Sequence, residues 1–161
     1  MVIEKVDLGK EAEELAAVIR ASFITVAEDF EITPENAPTN PAFLQKDDLL
    51  KSAENKGVNY YGYYEYGKLI GCYALEKALQ GTYYLERLAV VPEERHRGIG
   101  MKLVMDSFQR VKERGGVKVS VAIIDEHQVL KDWYKSIGFK ETGRKTFSHL
   151  PFNVCFLEYN L

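Results

Sequence analysis

Cysteine and tryptophan are scarce in these 161 residues: two of the former and one of the latter. Cys72 and Cys155 lie far apart, each inside an apolar, strand-like stretch, so the chain carries neither a disulfide framework nor a cysteine metal motif. Both are expected as buried free thiols. No apolar run approaches the roughly 20 residues that cross a bilayer. The opening Met1-Val2-Ile3-Glu4-Lys5 lacks the basic flank and apolar segment of a secretory signal. Charge of one sign is missing too: 24 acidic and 21 basic residues leave a net −3, which argues against a nucleic-acid partner. Internal repeats, low-complexity tracts and long linkers are absent. What remains is 46% apolar and 28% charged, ordinary globular usage. A chain of this length buries roughly 70% of its unfolded surface without staples. The expectation is a soluble, cytoplasmic protein folded as a single domain over residues 1–161, with no membrane partner.

Periodicity predicts mixed α/β architecture. A strand is expected over Val2–Asp7, and helical spacing runs from Glu11 through Leu15, Val18 and Ile19 to Ser22 and Phe23. Pro34, Pro38 and Pro41, with Asn36 and Asn40, mark an irregular loop. A second helix spans Phe43–Asn55 and ends at Gly57. Val58–Glu65 and Lys68–Glu76 read as a hairpin about Tyr66-Gly67, followed by a strand over Thr82–Val91. Gly100, Val104, Phe108 and Val111 give one apolar face to a helix from about Gly98 to Arg114, stopped by Gly115-Gly116. A buried strand (Val117–Ile124), a helix (Glu126–Ile137, stopped by Gly138) and two strands (Phe139–Phe147, Asn153–Tyr159) complete the chain. Tyr60, Tyr61, Tyr63 and Tyr64 span both faces of their strand and read as half core, half surface.

The chemistry is concentrated in the stretch from Leu85 to Gly100. There a buried strand runs into the basic turn Arg95-His96-Arg97-Gly98-Ile99-Gly100, which opens an amphipathic helix. Two cations at a helix N-terminus oppose the dipole, at roughly 0.3–1 kcal/mol each. Either a bound phosphate compensates them, held by free N–H groups beside Gly98 and Gly100, or the turn is solvated and offset by Glu93 and Glu94. Leu103 stands where a dinucleotide fingerprint needs its third glycine, and no Lys-Ser/Thr follows for a P-loop.

Arg95-His96-Arg97-Gly98-Ile99-Gly100 resembles the R/Q-x-x-G-x-G/A motif of the GNAT N-acetyltransferase superfamily. Tyr134-Lys135-Ser136-Ile137-Gly138-Phe139 resembles its Tyr-x-x-x-Gly-Phe hallmark. Order, spacing and element sequence agree over nearly the whole chain. The resemblance implies one mixed sheet of about seven strands flanked by about four helices, and acetyl-coenzyme A as co-substrate with no metal. The pantetheine would lie against a splayed fourth strand, one that carries a bulge and stops pairing with its neighbour, and pair with the backbone of Leu88, Ala89 and Val90. The pyrophosphate would lie on the turn from Arg95 through His96, Arg97, Gly98, Ile99 and Gly100 to Met101. Tyr134 becomes the general acid, its alternative being a packed aromatic beside Trp133. Glu86 is the candidate base, its alternatives being an ion-pair partner or a contact for the acceptor. Its neighbour Arg87 is expected on the opposite face if the strand alternates regularly. Tyr84 shares the face of Glu86 and is placed to touch the acceptor or a relay water. Family members often carry Asn seven residues before the tyrosine. This chain has His127 there, either on the pantetheine, in proton transfer, or as a solvent-exposed helix-start residue.

The implied reaction is acetyl transfer to a primary amine, of a small molecule or a peptide, by direct transfer in a ternary complex. The other reading is a non-catalytic domain that holds acyl-coenzyme A as a sensor. Glu28, Asp29, Glu31 and Glu35 give the first interhelical region an acidic tone, which suits a cationic acceptor or is a solvated acidic loop. A homodimer through a sheet edge is a further expectation.

Overall fold

Seven strands and four helices follow one another in the expected order in the computed structural model, which describes all 161 residues. They are β1 (Val2–Lys5), α1 (Leu8–Asp29), α2 (Lys46–Lys56), β2 (Asn59–Glu65), β3 (Lys68–Lys77) and β4 (Thr82–Val90). Then come α3 (Ile99–Glu113), β5 (Lys118–Ile124), α4 (Gln128–Ile137), β6 (Lys140–Thr146) and β7 (Asn153–Asn160). The strands build one mixed sheet in the order β1-β2-β3-β4-β5-β7-β6. No helix is long and apolar enough to cross a membrane.

Element ends follow local capping chemistry. β1 stops short of Asp7 because the Asp7 carboxylate accepts from the Gly9 N–H (3.0 Å) and caps α1. α1 continues to Asp29, beyond the periodic stretch that ends at Phe23. α2 begins at Lys46 rather than Phe43: Pro41–Phe43 form a separate 3-10 turn, and the Gln45 N–H donates to Asp48 at the new helix start (2.8 Å). Tyr66 and Gly67 both take positive φ (52° and 75°), the two-residue turn that suits a twisted hairpin. Gly115 supplies the left-handed residue that ends α3.

Two cores flank the sheet. On one face Leu15 and Ile19 of α1 and Leu49 of α2 pack on Tyr60, Cys72, Ala74 and Ala89. On the other, Leu103, Val104, Phe108 and Val111 of α3 pack on Tyr73, Tyr83, Leu85, Val119 and Leu157. The tyrosines are more deeply placed than strand alternation suggests. Tyr60, Tyr61 and Tyr63 are all buried, and only Tyr64 stays half-exposed. Their hydroxyls stay partnered where burial requires it: Tyr60 with Ser52 (2.7 Å), Tyr61 with Arg114, and Tyr64 with Glu11 (2.6 Å). Cys72 and Cys155 are buried free thiols, and burial pushes Cys72 up to about 12.

Two irregularities in the sheet create the site. On β3–β4, Cys72 pairs with Ala89 and Ala74 with Glu86, so Tyr73 alone faces both Arg87 and Leu88. That is a β-bulge on β4, and Arg87 carries its strain with φ 51°. β4 and β5 pair in parallel only from Thr82–Tyr84 to Lys118–Ser120. Beyond them β4 stays with β3 as far as Val90, while β5 stays with β7 as far as Ile124. The sheet therefore opens into a V between its two halves.

Candidate active site

A cavity of about 900 Å³ fills the V. β4 contributes Tyr84, Leu85, Glu86, Arg87 and Leu88, and β5 contributes Ser120 to Ile124. α1 closes one side with Phe23 and Val26, and α4 the other with Leu130 and Tyr134. The walls are mostly apolar, with a few polar groups converging, the usual make-up of a small-molecule site. The β5-facing edge of β4 has no strand neighbour past Tyr84, so its backbone groups are open to a ligand that pairs as a strand would.

Beyond its unpaired end β4 runs on into the basic turn. The N–H groups of His96 through Met101 make no hydrogen bond within the protein; the first helical bond of α3 is Lys102 N–H to the Gly98 carbonyl (3.1 Å). His96 and Gly98 take left-handed φ (63° and 77°), which turns successive N–H groups into a concave nest at a helix N-terminus. A Cβ on Gly98 would meet no atom within 4 Å, so the groove beside it is open. Gly100 is bounded by Trp133, whose ring lies 3.4 Å from where a Cβ would stand.

The arginines of the turn are engaged elsewhere. Arg95 reaches back to α1, donating to the Ser22 carbonyl (2.9 Å) and to the Thr25 hydroxyl (3.2 Å). Arg97 pairs with Glu65 (2.9 Å) and with Glu94. One of the two cations, Arg97, is thus compensated from inside the chain, by Glu94 of the two acids named for the solvated alternative and by Glu65, which nothing nearby in the chain singles out. Arg95 meets only neutral oxygens. Anion binding at the turn would rest on backbone N–H groups.

Glu86 and Tyr134 both line the cavity, from opposite halves of the V. Burial and the neighbouring carboxylate of Glu76 push Glu86 up to about 7, against the opposing pull of Arg87 and Lys56. Tyr134 is 5% exposed, set edge-on between Trp133 (5.0 Å) and Phe139 (5.2 Å). Burial alone raises it above an ordinary tyrosine, so it stays protonated at any working pH. It is at once a packed aromatic and a cavity-lining residue, so packing and a place in the cavity coexist.

His127 also lines the cavity, as the N-cap of α4, its Nδ1 accepting from the Leu130 N–H (3.2 Å). Its ring packs on Phe30 at 5.3 Å, and burial lowers its proton affinity. That is the helix-start role, half-buried against Phe30 rather than solvent-exposed, with one ring nitrogen committed to the cap. Leu88 lines the cavity with its side chain, whereas the Ala89 methyl is buried toward α1. His96 and Met101 are exposed at the rim. Regular alternation does not hold at Arg87: the bulge turns it into the same cavity as Glu86. Nothing local in the sequence marks a bulge, so no sequence signal points to Arg87 as a site residue. Asp125, Glu141 and Cys155 bring donors within 4.8 Å of one another, but the Lys131 ammonium sits 2.5 Å from Asp125 and Arg144 lies 3.2 Å away. Cations of the chain already fill that place.

A sheet split beside its fourth strand, with a bulge there and a bare N–H nest at the following helix, is the architecture of an acetyltransferase family. The family model described as acetyltransferase (GNAT) family matches residues 14–139, and the chain belongs to that family. Solved structures share the fold across its length. The PaiA N-acetyltransferase from Thermoplasma acidophilum, in complex with coenzyme A, is 21% identical, with all of both chains covered and a TM-score of 0.72. The ribosomal-protein-alanine N-acetyltransferase from Brucella melitensis is 16% identical, again with all of both chains covered, at 0.73. A GNAT family acetyltransferase from Elizabethkingia anophelis with acetyl-CoA bound is 18% identical, covering 71% of this chain and 82% of that one, at 0.62.

Proposed function

We propose that the protein, acting as one domain, moves an acetyl group from acetyl-coenzyme A directly to a primary amine. The observation that carries this reading is the V between β4 and β5, which leads from a bare N–H nest to a carboxyl and a phenol in one cavity. The nest suits a pyrophosphate, and the open edge of β4 at Leu88, Ala89 and Val90 suits the amides of the pantetheine arm. An N–H of that edge aimed at the thioester oxygen would stabilise the developing charge, typically by roughly 2.7–4 kcal/mol per donor. Glu86 takes a proton from the incoming ammonium, directly or through water near Tyr84, which frees the nitrogen lone pair. The amine attacks the carbonyl carbon, an N–C bond forms, and the C–S bond breaks. Tyr134 donates a hydrogen bond and then a proton to the departing sulfur, and the second proton of the attacking nitrogen, shed as it becomes the amide, passes through water to restore the phenol.

Calorimetric titration of acetyl-coenzyme A and coenzyme A tests the binding half. We expect micromolar affinity for the wild type and its loss in a Gly98→Asp, Gly100→Asp double variant, where two carboxylates face the nest. An absence of binding to the wild type discards the reading. Tight binding with no thiol release from any amine would instead favour a sensor.

A further inference from the structure

A second, smaller cavity of about 300 Å³ adjoins the first, and Asn40 and Arg87 line both. Its walls carry Lys51 and Lys56 from α2, so three cations converge there with Arg87. None of the three is ion-paired with a carboxylate. The one acid in the lining, Asp48, already accepts from the Gln45 N–H at the start of α2. Arg87 is half-buried in the strained bulge, and its guanidinium donates to the neutral Tyr60 hydroxyl. No carboxylate ion-pairs with this half-buried arginine, although Glu86 in the main cavity acts on it through space, so a ligand anion would supply the missing contact. The acids of the first interhelical region do not offset this charge. Glu28, Asp29, Glu31 and Glu35 line neither cavity.

We propose that the acceptor amine carries an anionic group, a carboxylate or a phosphate, which seats in the basic cavity while its ammonium meets Glu86. The site is dipolar, with two carboxyls in the main cavity, Glu86 and the Lys118-paired Glu158, and three cations beside it, and it suits a small zwitterion whose ammonium meets Glu86. A polycation meets Arg87, Lys51 and Lys56 with like charge, so diamines are poor acceptors. This inference rests on the acetyl-transfer reading, because only that reading gives Glu86 an amine to receive.

The test compares matched amines with the full chain and saturating acetyl-coenzyme A: α-amino acids and β-alanine against their amides, phosphoethanolamine against ethanolamine, and putrescine. Thiol release should favour the anionic member of a pair by roughly tenfold or more, the contribution of one charge-assisted hydrogen bond, mostly through KM. In a Lys51→Gln, Lys56→Gln double variant, which keeps Arg87, that ratio should fall severalfold. Both lysines are exposed, so the change is safe for folding, whereas Arg87 packs on Tyr60. Which pair shows the larger ratio distinguishes carboxylate from phosphate. Equal turnover of neutral partners or of putrescine overturns the proposal, as does a preference undiminished in the double variant. A binding readout stands apart from turnover: calorimetry of β-alanine and of phosphoethanolamine into the coenzyme A-loaded protein. Binding of neither overturns the basic cavity. If coenzyme A itself does not bind, the acetyl-transfer reading has failed, and the same titrations into the free protein still decide whether the cavity takes anions.

Discussion

Glu86 sits where a carboxylate is expensive, half-buried on β4 with Glu76 beside it on β3. Its value near 7 gives it the proton affinity a base needs at neutral pH. Activity should therefore rise as Glu86 deprotonates, with an acid limb in kcat/KM near pH 7. Glu86→Gln should remove that limb and lower kcat/KM about 100-fold, the low end of what general base catalysis contributes. Stability should move the other way. A carboxyl whose folded value is raised adds stability below its unfolded value of 4.5 and loses it as pH climbs through about 7. Glu86→Gln should thus raise the melting temperature relative to wild type at about pH 8 and not at about pH 4. A profile unchanged in the variant would take the base role from Glu86. Position along the strand and the Tyr-x-x-x-Gly-Phe spacing single out Glu86 and Tyr134 as candidates from the sequence alone. Arg87 departs from the face that alternation predicts, because alternation is a local rule and the bulge is set by the register between β3 and β4.

The two ends of α3 separate two uses of glycine. Gly98 has φ 77° and open space around it, so an alanine there costs only the left-handed conformation, roughly 1–2 kcal/mol. Gly116 is not left-handed, but a Cβ would stand 2.3 Å from Val111 Cγ1 and 2.9 Å from the Tyr83 ring. Overpacking of that kind costs roughly 1–3 kcal/mol. Urea unfolding should show both Gly98→Ala and Gly116→Ala destabilised, while calorimetry should show weaker coenzyme A binding in Gly98→Ala alone. Equal affinities in the two variants would mean that the nest does not depend on its backbone shape. The element order is legible from hydrophobic period and glycine stops. The far end of α1 is not: Thr25 and Val26 are poor helix formers, and Glu28 and Asp29 oppose the dipole. Those last turns are held by partners distant in sequence, with Arg95 on Ser22 and Thr25, and Ala27 packed with Ile32, Ala37 and Ala42.

At the scale of the molecule the sheet is two sheets joined by three residue pairs, Thr82–Tyr84 on Lys118–Ser120. β4 and β5 both read as buried strands, and nothing within either segment tells that they part after so short a pairing; the V is a property of the whole topology. One face of the junction is secured by α3, which packs on Tyr83 and Leu85 from β4 and on Val119 from β5. The other face is the cavity. A ligand lying along β4 replaces the missing strand neighbour, so it should stabilise the fold as well as occupy a site. At a free concentration of about 100 Kd, mass action adds about 2.7 kcal/mol, a rise of roughly 5–10 °C in Tm for a chain of this size. Amide exchange should slow in residues 85–90, 96–101 and 121–124 when coenzyme A is added. β6 at the far edge, exposed along its length, should exchange as before. Uniform slowing would indicate stabilisation without a defined seat, whereas protection confined to these segments would place the ligand in the V and make the splay its binding device.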